Sequence, residues 1–247
     1  MDLGLSGARA LVTAASAGLG RGCAAALAGE GARVVISARG EERLRATARD
    51  INAEAWVAAD LSRAGEVERM AATALAQLGG LDVLVANNGG PPPGTFDTIS
   101  AAAWEQAHEG TLMSTVRLIR ACLPALKESG RGRIVIITSI SVRQPIAGLL
   151  LSNAYRSAVT AMAKTLSLEV AKSGVTVNTL APQAILTDRL RQLHGAALEG
   201  VKDSLPTGRF GTPEEFGAAC AFLASKQAAY ISGQTLGVDG GALLGIH

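Results

Sequence analysis

Three residues near the middle of the chain have the chemistry to hold the oxygen of a carbonyl group. Ser139 follows an apolar run at residues 134–137, and Ser152 and Arg156 lie four apart at the start of a segment with helical periodicity. Because residues four apart share one face of a helix, the Ser152 hydroxyl and the Arg156 guanidinium are expected to point the same way. Hydroxyl and guanidinium donors stabilise negative charge on oxygen. The stretch therefore predicts a site that binds an oxyanion or enolate.

The elements that must position these residues are short apolar strands alternating with helices. Residues 8–12 read as a buried strand, residues 13–20 as a glycine-rich turn, residues 21–30 as a helix and residues 33–37 as a second strand. This order is typical of a mononucleotide-binding unit, in which the turn approaches a pyrophosphate at the start of the helix. Further strands are predicted near residues 55–59, 82–86, 134–137 and 175–180. In such a sheet, chemistry lies beyond the carboxyl ends of the strands.

Several motifs occur in one order along nearly the whole chain. They are Thr13 to Gly20, Asp60-Leu61, Ala86-Asn87-Asn88-Gly89, Pro182 to Thr187, and the close from Tyr230 to Gly241. With these motifs the sequence resembles the short-chain dehydrogenase/reductase family, and in a general way its 3-oxoacyl carrier-protein reductases. The resemblance implies an α/β, doubly wound Rossmann fold with a parallel, mostly seven-stranded sheet and helices on both faces. It also implies a single domain over residues 1–247, with a substrate lid at about residues 186–210.

The resemblance further implies a dinucleotide cofactor and the residues that bind it. Ala38 stands where family members that use NAD tend to carry Asp, and Arg39 follows it. Arginine at this position favours a 2′-phosphate, so the expected cofactor is NADP(H). The expected cofactor-binding residues are Thr13, Ala14, Ser16, Gly18, Leu19, Gly20, Arg39, Asp60, Leu61, Asn87, Gly89, Arg156, Pro182, Ile185 and Thr187. Two of the family's glycines are replaced, one by Ala14 and one by Gln183.

The family's catalytic set is the part from which this sequence departs most. The family has tyrosine thirteen positions after its serine and lysine four later, and these positions hold Ser152 and Arg156. The family's asparagine, whose carbonyl holds a proton-relay water, is matched by Thr111, so only Ser139 is kept. Serine is far less acidic than a phenol, and arginine does not relay protons at neutral pH. The predicted catalytic residues are Ser139, Ser152, Tyr155, Arg156 and Thr111.

Another group must therefore supply a proton if the chain reduces carbonyls. Tyr155 is a candidate, since it lies three residues after Ser152 on nearly the same helical face, and a core or interface aromatic is the alternative. His108, one turn before Thr111, is a second candidate, and an exposed helix histidine is the simpler explanation for it.

Three functions stay open on this sequence. The first is NADPH-dependent reduction of a carbonyl compound, or its reverse, with a non-standard proton donor. The second is elimination or isomerisation of a carbonyl compound on the same fold. The third is nucleotide binding without turnover.

The amino-acid composition limits the kinds of partner that the chain is expected to bind. The net charge is +2 and 48% of the 247 residues are hydrophobic, which gives no reason to expect nucleic acid or an anionic membrane as partner. Cys23, Cys122 and Cys220 are far apart and fit buried positions in a reducing cytosol, so no metal site and a cytoplasmic location are expected. A small carbonyl or alcohol substrate is expected. The apolar lid residues Ile185, Leu186, Leu190 and Leu193 favour an uncharged, fairly apolar compound, whereas Arg189 and Arg191 leave room for an acidic or carrier-linked one. The family's helix packing predicts a homodimer or homotetramer.

Overall fold

A computed structural model describes residues 1–245 and shows the predicted α/β architecture. Seven parallel strands form one sheet in the order β3-β2-β1-β4-β5-β6-β7. The strands are β1 (Arg9–Val12), β2 (Arg33–Ala38), β3 (Ala55–Ala58), β4 (Val83–Ala86), β5 (Arg133–Ile137), β6 (Thr176–Pro182) and β7 (Thr235–Val238). The order reverses between β1 and β4, which is where a doubly wound sheet opens a crevice for ligands.

Helices cover both faces of this sheet. They are α1 (Gly18–Gly29), α2 (Glu41–Asp50), α3 (Ala64–Leu78), α4 (Ala101–Ala107), α5 (Ser114–Glu128), α6 (Leu150–Val170), α7 (Asp188–His194), α8 (Leu198–Asp203) and α9 (Pro213–Ala224). One buried cluster joins α1, α2 and α9 to the sheet, and the other joins α3, α5 and α6 to its opposite face. The strands read as continuous apolar runs because both of their faces are buried.

Small residues allow the close helix packing. A Cβ on Gly22 of α1 would collide with the backbone of Pro213, and a Cβ on Gly217 of α9 would collide with the backbone of Gly22. The two helices therefore touch backbone to backbone, which holds the glycine-rich turn at the start of α1 against the rest of the domain. All three cysteines are buried and free, as the sequence predicts.

The helix on which the sequence places His108 and Thr111 is not continuous, because a π-helical turn, His108–Met113, separates α4 from α5. The segment predicted as a lid consists of α7, a short 3₁₀ turn and α8. Within residues 1–245, no helix combines the length and apolar character needed to cross a membrane.

Candidate active site

The glycine-rich turn keeps its shape although its first glycine is an alanine. Ala14 adopts φ +47°, in the left-handed region that favours glycine, and Gly18 adopts φ +55°. A Cβ on Gly20 would lie 2.8 Å from Nδ2 of Asn87, so only glycine fits there. The first turn of α1 holds no acidic residue, and no side chain caps its N–H groups. These free N–H groups and the helix dipole suit a pyrophosphate.

Thr13 and Asn87 join the turn to the end of β4. The Thr13 hydroxyl donates to the Asn87 carbonyl at 2.7 Å and accepts from the Asn87 N–H at 3.0 Å. The Asn87 amide donates to the Ala14 carbonyl at 3.2 Å. Thr13 and Asn87 therefore shape the crevice between β1 and β4, and these hydrogen bonds hold Ala14 in its left-handed conformation.

The remaining predicted cofactor residues follow the neighbouring strands. Arg39 is exposed after β2, and Asp60 follows β3. The Asp60 carboxylate accepts hydrogen bonds from the N–H and hydroxyl of Ser62, which lower its pKa, and Arg39 adds a smaller electrostatic contribution. Leu19 and Leu61 pack against the two cores, the Ser16 carbonyl accepts from Thr47, and Gly89 is exposed.

A cavity of about 400 Å³ lies between the glycine-rich turn, α2 and α7. Its lining includes Arg21, Arg43 and Arg191 together with Asp50 and Asp188, and Arg39 is not among the lining residues. Arg43 also pairs with Asp188 at 2.8 Å, which joins α2 to the lid. Three arginines beside an anion-binding turn fit the phosphates of a dinucleotide.

Ser139 and the guanidinium of Arg156 lie at the end of β5. Ser139 directly follows Thr138, and its Oγ accepts from the Ser141 N–H at 3.1 Å, which leaves the hydroxyl proton free to donate. Nη1 of Arg156 donates to the Ile137 carbonyl at 2.9 Å, which places this face of α6 against the end of β5. Ser152 lies one turn earlier on the same face and is half-buried.

Arg156 is a buried cation. Its residue is 8% exposed, and burial, with a smaller contribution from the nearby Arg189 charge, lowers the pKa of its guanidinium to about 10. That value still leaves the group charged at neutral pH. A positive charge in a partly dehydrated site stabilises an oxyanion more strongly than one in water does.

Tyr155 and His108 lie on the side of α6 that faces α4. The Tyr155 hydroxyl donates to the Trp104 carbonyl at 3.1 Å, and its ring contacts those of Trp104 and His108. Among residues 1–245, no hydrogen bond joins Tyr155 to Ser139, Ser152 or Arg156. Donation of its proton to a substrate would first require the bond to Trp104 to break.

The Thr111 carbonyl lies at the π-helical turn and is occupied by side chains of this chain. It accepts from Nδ2 of Asn88 at 3.0 Å and from the Thr115 hydroxyl at 2.9 Å. Thr111 itself is 2% exposed. Asn88 thus joins the end of β4 to the turn, and its Oδ1 is buried without a hydrogen-bond partner in the described chain.

The segment after β6 forms the last wall of the crevice. Ala184 adopts φ +50°, so the left-handed residue here is an alanine one position after Gln183. Ile185 pairs with Gly211 in an isolated bridge, and the Thr187 hydroxyl caps α7 by accepting from the Leu190 N–H at 3.3 Å. Pro182 ends β6 at the same edge of the sheet.

Sequence reasoning missed four features of this site. They are the amide contacts of Asn88, the strained backbone of Ala184, the position of Arg43 in the cavity, and a hydrogen bond from Arg189 to the Pro91 carbonyl. Asn88 had a usable signal, since it is an amide directly after a buried strand. The other three depend on contacts or backbone angles that no local pattern encodes.

Comparisons with known proteins find relatives over nearly the whole chain. A family model described as enoyl-(acyl carrier protein) reductase matches residues 13–242. The chain is 34% identical over 241 residues to dehydrogenase/reductase SDR family member 4 of Bos taurus, covering 95% of this chain and 86% of the relative. It is 34% identical over 240 residues to the 3-oxoacyl-(acyl-carrier-protein) reductase of Escherichia coli (strain K12), covering 97% and 98%. The structure of L-sorbose reductase from Gluconobacter frateurii, complexed with NADPH and L-sorbose, superposes with a TM-score of 0.93 at 32% identity over 100% of both chains.

Proposed function

The chain belongs to the short-chain dehydrogenase/reductase family, and on that premise we propose that it reduces a carbonyl compound with NADPH, or catalyses the reverse reaction. Its proton donor differs from the family's tyrosine, because Ser152 and Arg156 occupy the family's Tyr and Lys positions. The single observation that carries the proposal is the buried, charged Arg156 against the end of β5, on the same helical face as Ser152 and beside Ser139.

The choice of NADPH rests on the arginines near the turn. Ala38 offers no carboxylate for ribose hydroxyls, Arg39 follows it, and Arg43 lines the adjacent cavity. The solved relative from Gluconobacter frateurii is complexed with NADPH. Ala14 does not prevent binding, because its backbone already has the conformation that glycine gives this turn.

When bound, NADPH supplies a hydride to the carbonyl carbon, the C=O π electrons move to the oxygen, and NADP⁺ remains. The Ser139 and Ser152 hydroxyls hold the oxygen by donating hydrogen bonds. The Arg156 guanidinium stabilises the alkoxide that develops there. The alkoxide then takes a proton from water, which reaches the half-buried Ser152, and hydroxide is released to the solvent. The products are the alcohol and NADP⁺.

Two measurements test this function in order. Titration with NADPH and with NADH comes first, and tighter binding of NADPH is expected. Transfer of deuteride from labelled NADPH to a panel of ketones comes second, and stereospecific label in the alcohol is expected. If neither nucleotide binds, the oxidoreductase function should be dropped. If NADPH binds but no label reaches any ketone, the chain is not a carbonyl reductase.

A non-redox reaction is the second candidate, because two hydroxyls and a buried guanidinium also suit an enolate. It predicts conversion of a carbonyl compound with constant absorbance at 340 nm and unaltered cofactor. A nucleotide-binding protein without turnover is the third candidate. It predicts NADPH binding alone, with ketone reduction appearing in the Ser152→Tyr/Arg156→Lys double variant.

For the oligomeric state and the cellular location we propose what the family resemblance implies. Trp104, His108 and Tyr155 line a second cavity together with Glu105 and Glu109, and Leu168 of α6 is 70% exposed. We propose that the aromatic residues of this cavity and Leu168 belong to the interface of a cytoplasmic homodimer or homotetramer. Light scattering of the purified chain should give a mass at least twice 25.1 kDa, and a monomer at micromolar concentration would contradict the assembly.

A further inference from the structure

Arg156 has more hydrogen-bond donors than the chain satisfies. A guanidinium has five N–H donors, and only Nη1 of Arg156 has an acceptor, the Ile137 carbonyl, among residues 1–245. Arg133 is equally buried at 7% exposure, but its Nε and Nη1 donate to the carbonyls of Arg131, Gly132, Gly174 and Ser225. The fold therefore satisfies one buried guanidinium with its own carbonyls and leaves the other for a ligand.

A second guanidinium reaches the same place from the lid. Nη2 of Arg189, on α7, donates to the Pro91 carbonyl at 2.8 Å, across 98 residues of sequence. Its Nη2 lies only 3.3 Å from where a Cβ on Gly90 would stand, so the guanidinium rests on this glycine. The loop carrying Gly90 and Pro91 follows β4, and β4 pairs directly with β5, whose last residue is the Arg156 partner Ile137. Arg156 and Arg189 therefore both lie at the crevice beyond the carboxyl ends of β4 and β5.

No carboxylate within residues 1–245 neutralises this pair. Asp188 is the only acid of α7, and it pairs with Arg43 at 2.8 Å and with Arg191 at 3.6 Å. Neither Arg156 nor Arg189 forms a salt bridge in the described chain. Burial lowers the pKa of Arg189 as well as that of Arg156, as expected for cations that lack a counter-ion. The site therefore holds two uncompensated positive charges.

We propose that Arg156 and Arg189 bind the carboxylate of the substrate, which is an oxo acid with its carbonyl at C2 or C3. The inference rests on the proposed function. The phosphates of the cofactor are a less suitable occupant, because the free N–H groups of α1 and the arginines of the first cavity lie at the glycine-rich turn. A carbonyl at C2 or C3 lets the Arg156 fork contact both the carbonyl oxygen and the carboxylate, whereas Arg189 contacts the carboxylate alone.

Substrate pairs that differ in charge and by one methyl group test the inference. The compounds are 2-oxohexanoate, 3-oxohexanoate and 5-oxohexanoate, each compared with its methyl ester in the presence of NADPH. We expect kcat/KM for the 2-oxo or 3-oxo acid to exceed that for its ester by about 100-fold, and the 5-oxo pair to show no such preference. Arg189→Met should reduce the preference by about 10- to 100-fold through a higher KM for the acid, the usual range for hydrogen bonds to a charged group. Arg189→Lys should restore part of it.

The control is Lys202→Met, which removes a lid cation that pairs with Glu199 on the exposed side of α8. Its acid-to-ester preference should equal that of the parent protein. Equal kcat/KM for acids and esters would overturn the inference and leave the reductase function intact. An equal loss of preference in Lys202→Met would also overturn it, because a general lid charge would then explain the effect.

If no compound is converted, a binding measurement tests the carboxylate site. Calorimetric titration of 2-oxohexanoate into the protein saturated with NADP⁺ should show binding that Arg189→Met loses and Lys202→Met keeps. Failure of the acid to bind this complex refutes the carboxylate site. If NADP⁺ itself does not bind, the proposed function fails, and the same titration with the protein alone supports or refutes the carboxylate site independently.

Discussion

The environment of Arg156 determines how much negative charge the crevice can stabilise. Its guanidinium is buried, it is fixed by the Ile137 carbonyl, and no acid within residues 1–245 pairs with it. A fixed charge in a region of low dielectric constant interacts with a developing oxyanion more strongly than one in water. With a pKa of about 10, the group stays protonated through the neutral range and loses its charge only at strongly alkaline pH.

Removal of this charge should reduce turnover. We expect Arg156→Met to lower kcat by about 10²- to 10³-fold, the usual cost of removing one oxyanion-stabilising group. Arg156→Lys keeps a cation and should retain more activity than Arg156→Met. Steady-state kinetics at pH 7 measures the effect, and thermal unfolding shows whether each variant is folded. Equal activity of Arg156→Met and the parent protein would exclude a catalytic role.

Tyr155 is a residue for which one substitution separates two roles. A proton donor would lose about 10²- to 10⁴-fold in kcat on change to phenylalanine. A packing residue would keep kcat and lose about 1 kcal/mol of stability with the hydrogen bond to Trp104. Since that hydrogen bond engages the hydroxyl, we expect the second outcome for Tyr155→Phe. The measurements are kcat and the denaturant midpoint, and a large fall in kcat with unchanged stability would identify Tyr155 as the donor.

The strands, the π-helical turn and the glycine-rich turn show which elements a sequence pattern predicts and which it does not. The apolar runs predict the central strands β4 and β5, since both of their faces are buried. The π-helical turn at Thr111 could not be predicted, because its Thr111 carbonyl accepts a hydrogen bond from Asn88, which lies 23 positions earlier in the chain. Nor does the sequence show that Ala14 takes a positive φ, since alanine itself disfavours that conformation.

Ala14→Gly should relieve strain in the turn. The left-handed conformation costs alanine about 1–2 kcal/mol, whereas the added freedom of glycine in the unfolded chain costs about 0.4–1 kcal/mol. We therefore expect a gain of up to about 1 kcal/mol and a Tm higher by about 1–4 °C. The affinity for NADPH should change little, because the turn already has its binding conformation. Scanning calorimetry and nucleotide titration provide the two measurements.

The control for this variant is Ala15→Gly, at the adjacent buried residue, which is not among the positive-φ residues. It removes a buried methyl group and relieves no strain, so its Tm should fall. A lower Tm for Ala14→Gly as well would show that the left-handed alanine is not strained.

In the molecule as a whole, the candidate catalytic residues and a stabilising ion-pair network lie at opposite ends of the parallel strands. The candidate catalytic residues follow the carboxyl ends of the strands, whereas Asp82 precedes β4 at the amino-terminal end. Its carboxylate is 2% exposed and accepts from Arg9 and Arg131 at 2.9–3.2 Å. Burial opposes its ionisation, but these hydrogen bonds outweigh burial and hold the pKa of Asp82 well below its ordinary value. Its interactions tie β1, β4 and the start of β5 together.

Asp82→Asn should therefore cost stability in a pH-dependent way. Because folding lowers the pKa of Asp82, its contribution is complete above the unfolded pKa of about 4 and is lost as the pH falls further towards the folded value. We expect the variant to lose about 2–3 kcal/mol at pH 7, less than the ~3–5 kcal/mol of a fully buried pair, since both arginines reach solvent. Below pH 4 its stability should fall less steeply than that of the parent protein.

Denaturant titrations between pH 2.5 and 7 measure this dependence. Asp97→Asn serves as the control, since Asp97 is exposed and forms no salt bridge within residues 1–245. Parallel pH profiles for Asp82→Asn and the parent protein would show that the network around Asp82 does not contribute to acid unfolding.

The left-handed conformation of Ala14 also affects how proteins of this kind are found. A sequence pattern that requires glycine at this turn does not match the chain, and neither does one that requires tyrosine and lysine on α6. A search on backbone angles retains it, since φ at residue 14 has the sign that glycine would give. The backbone angle at residue 14 therefore identifies this turn, although the residue type there does not.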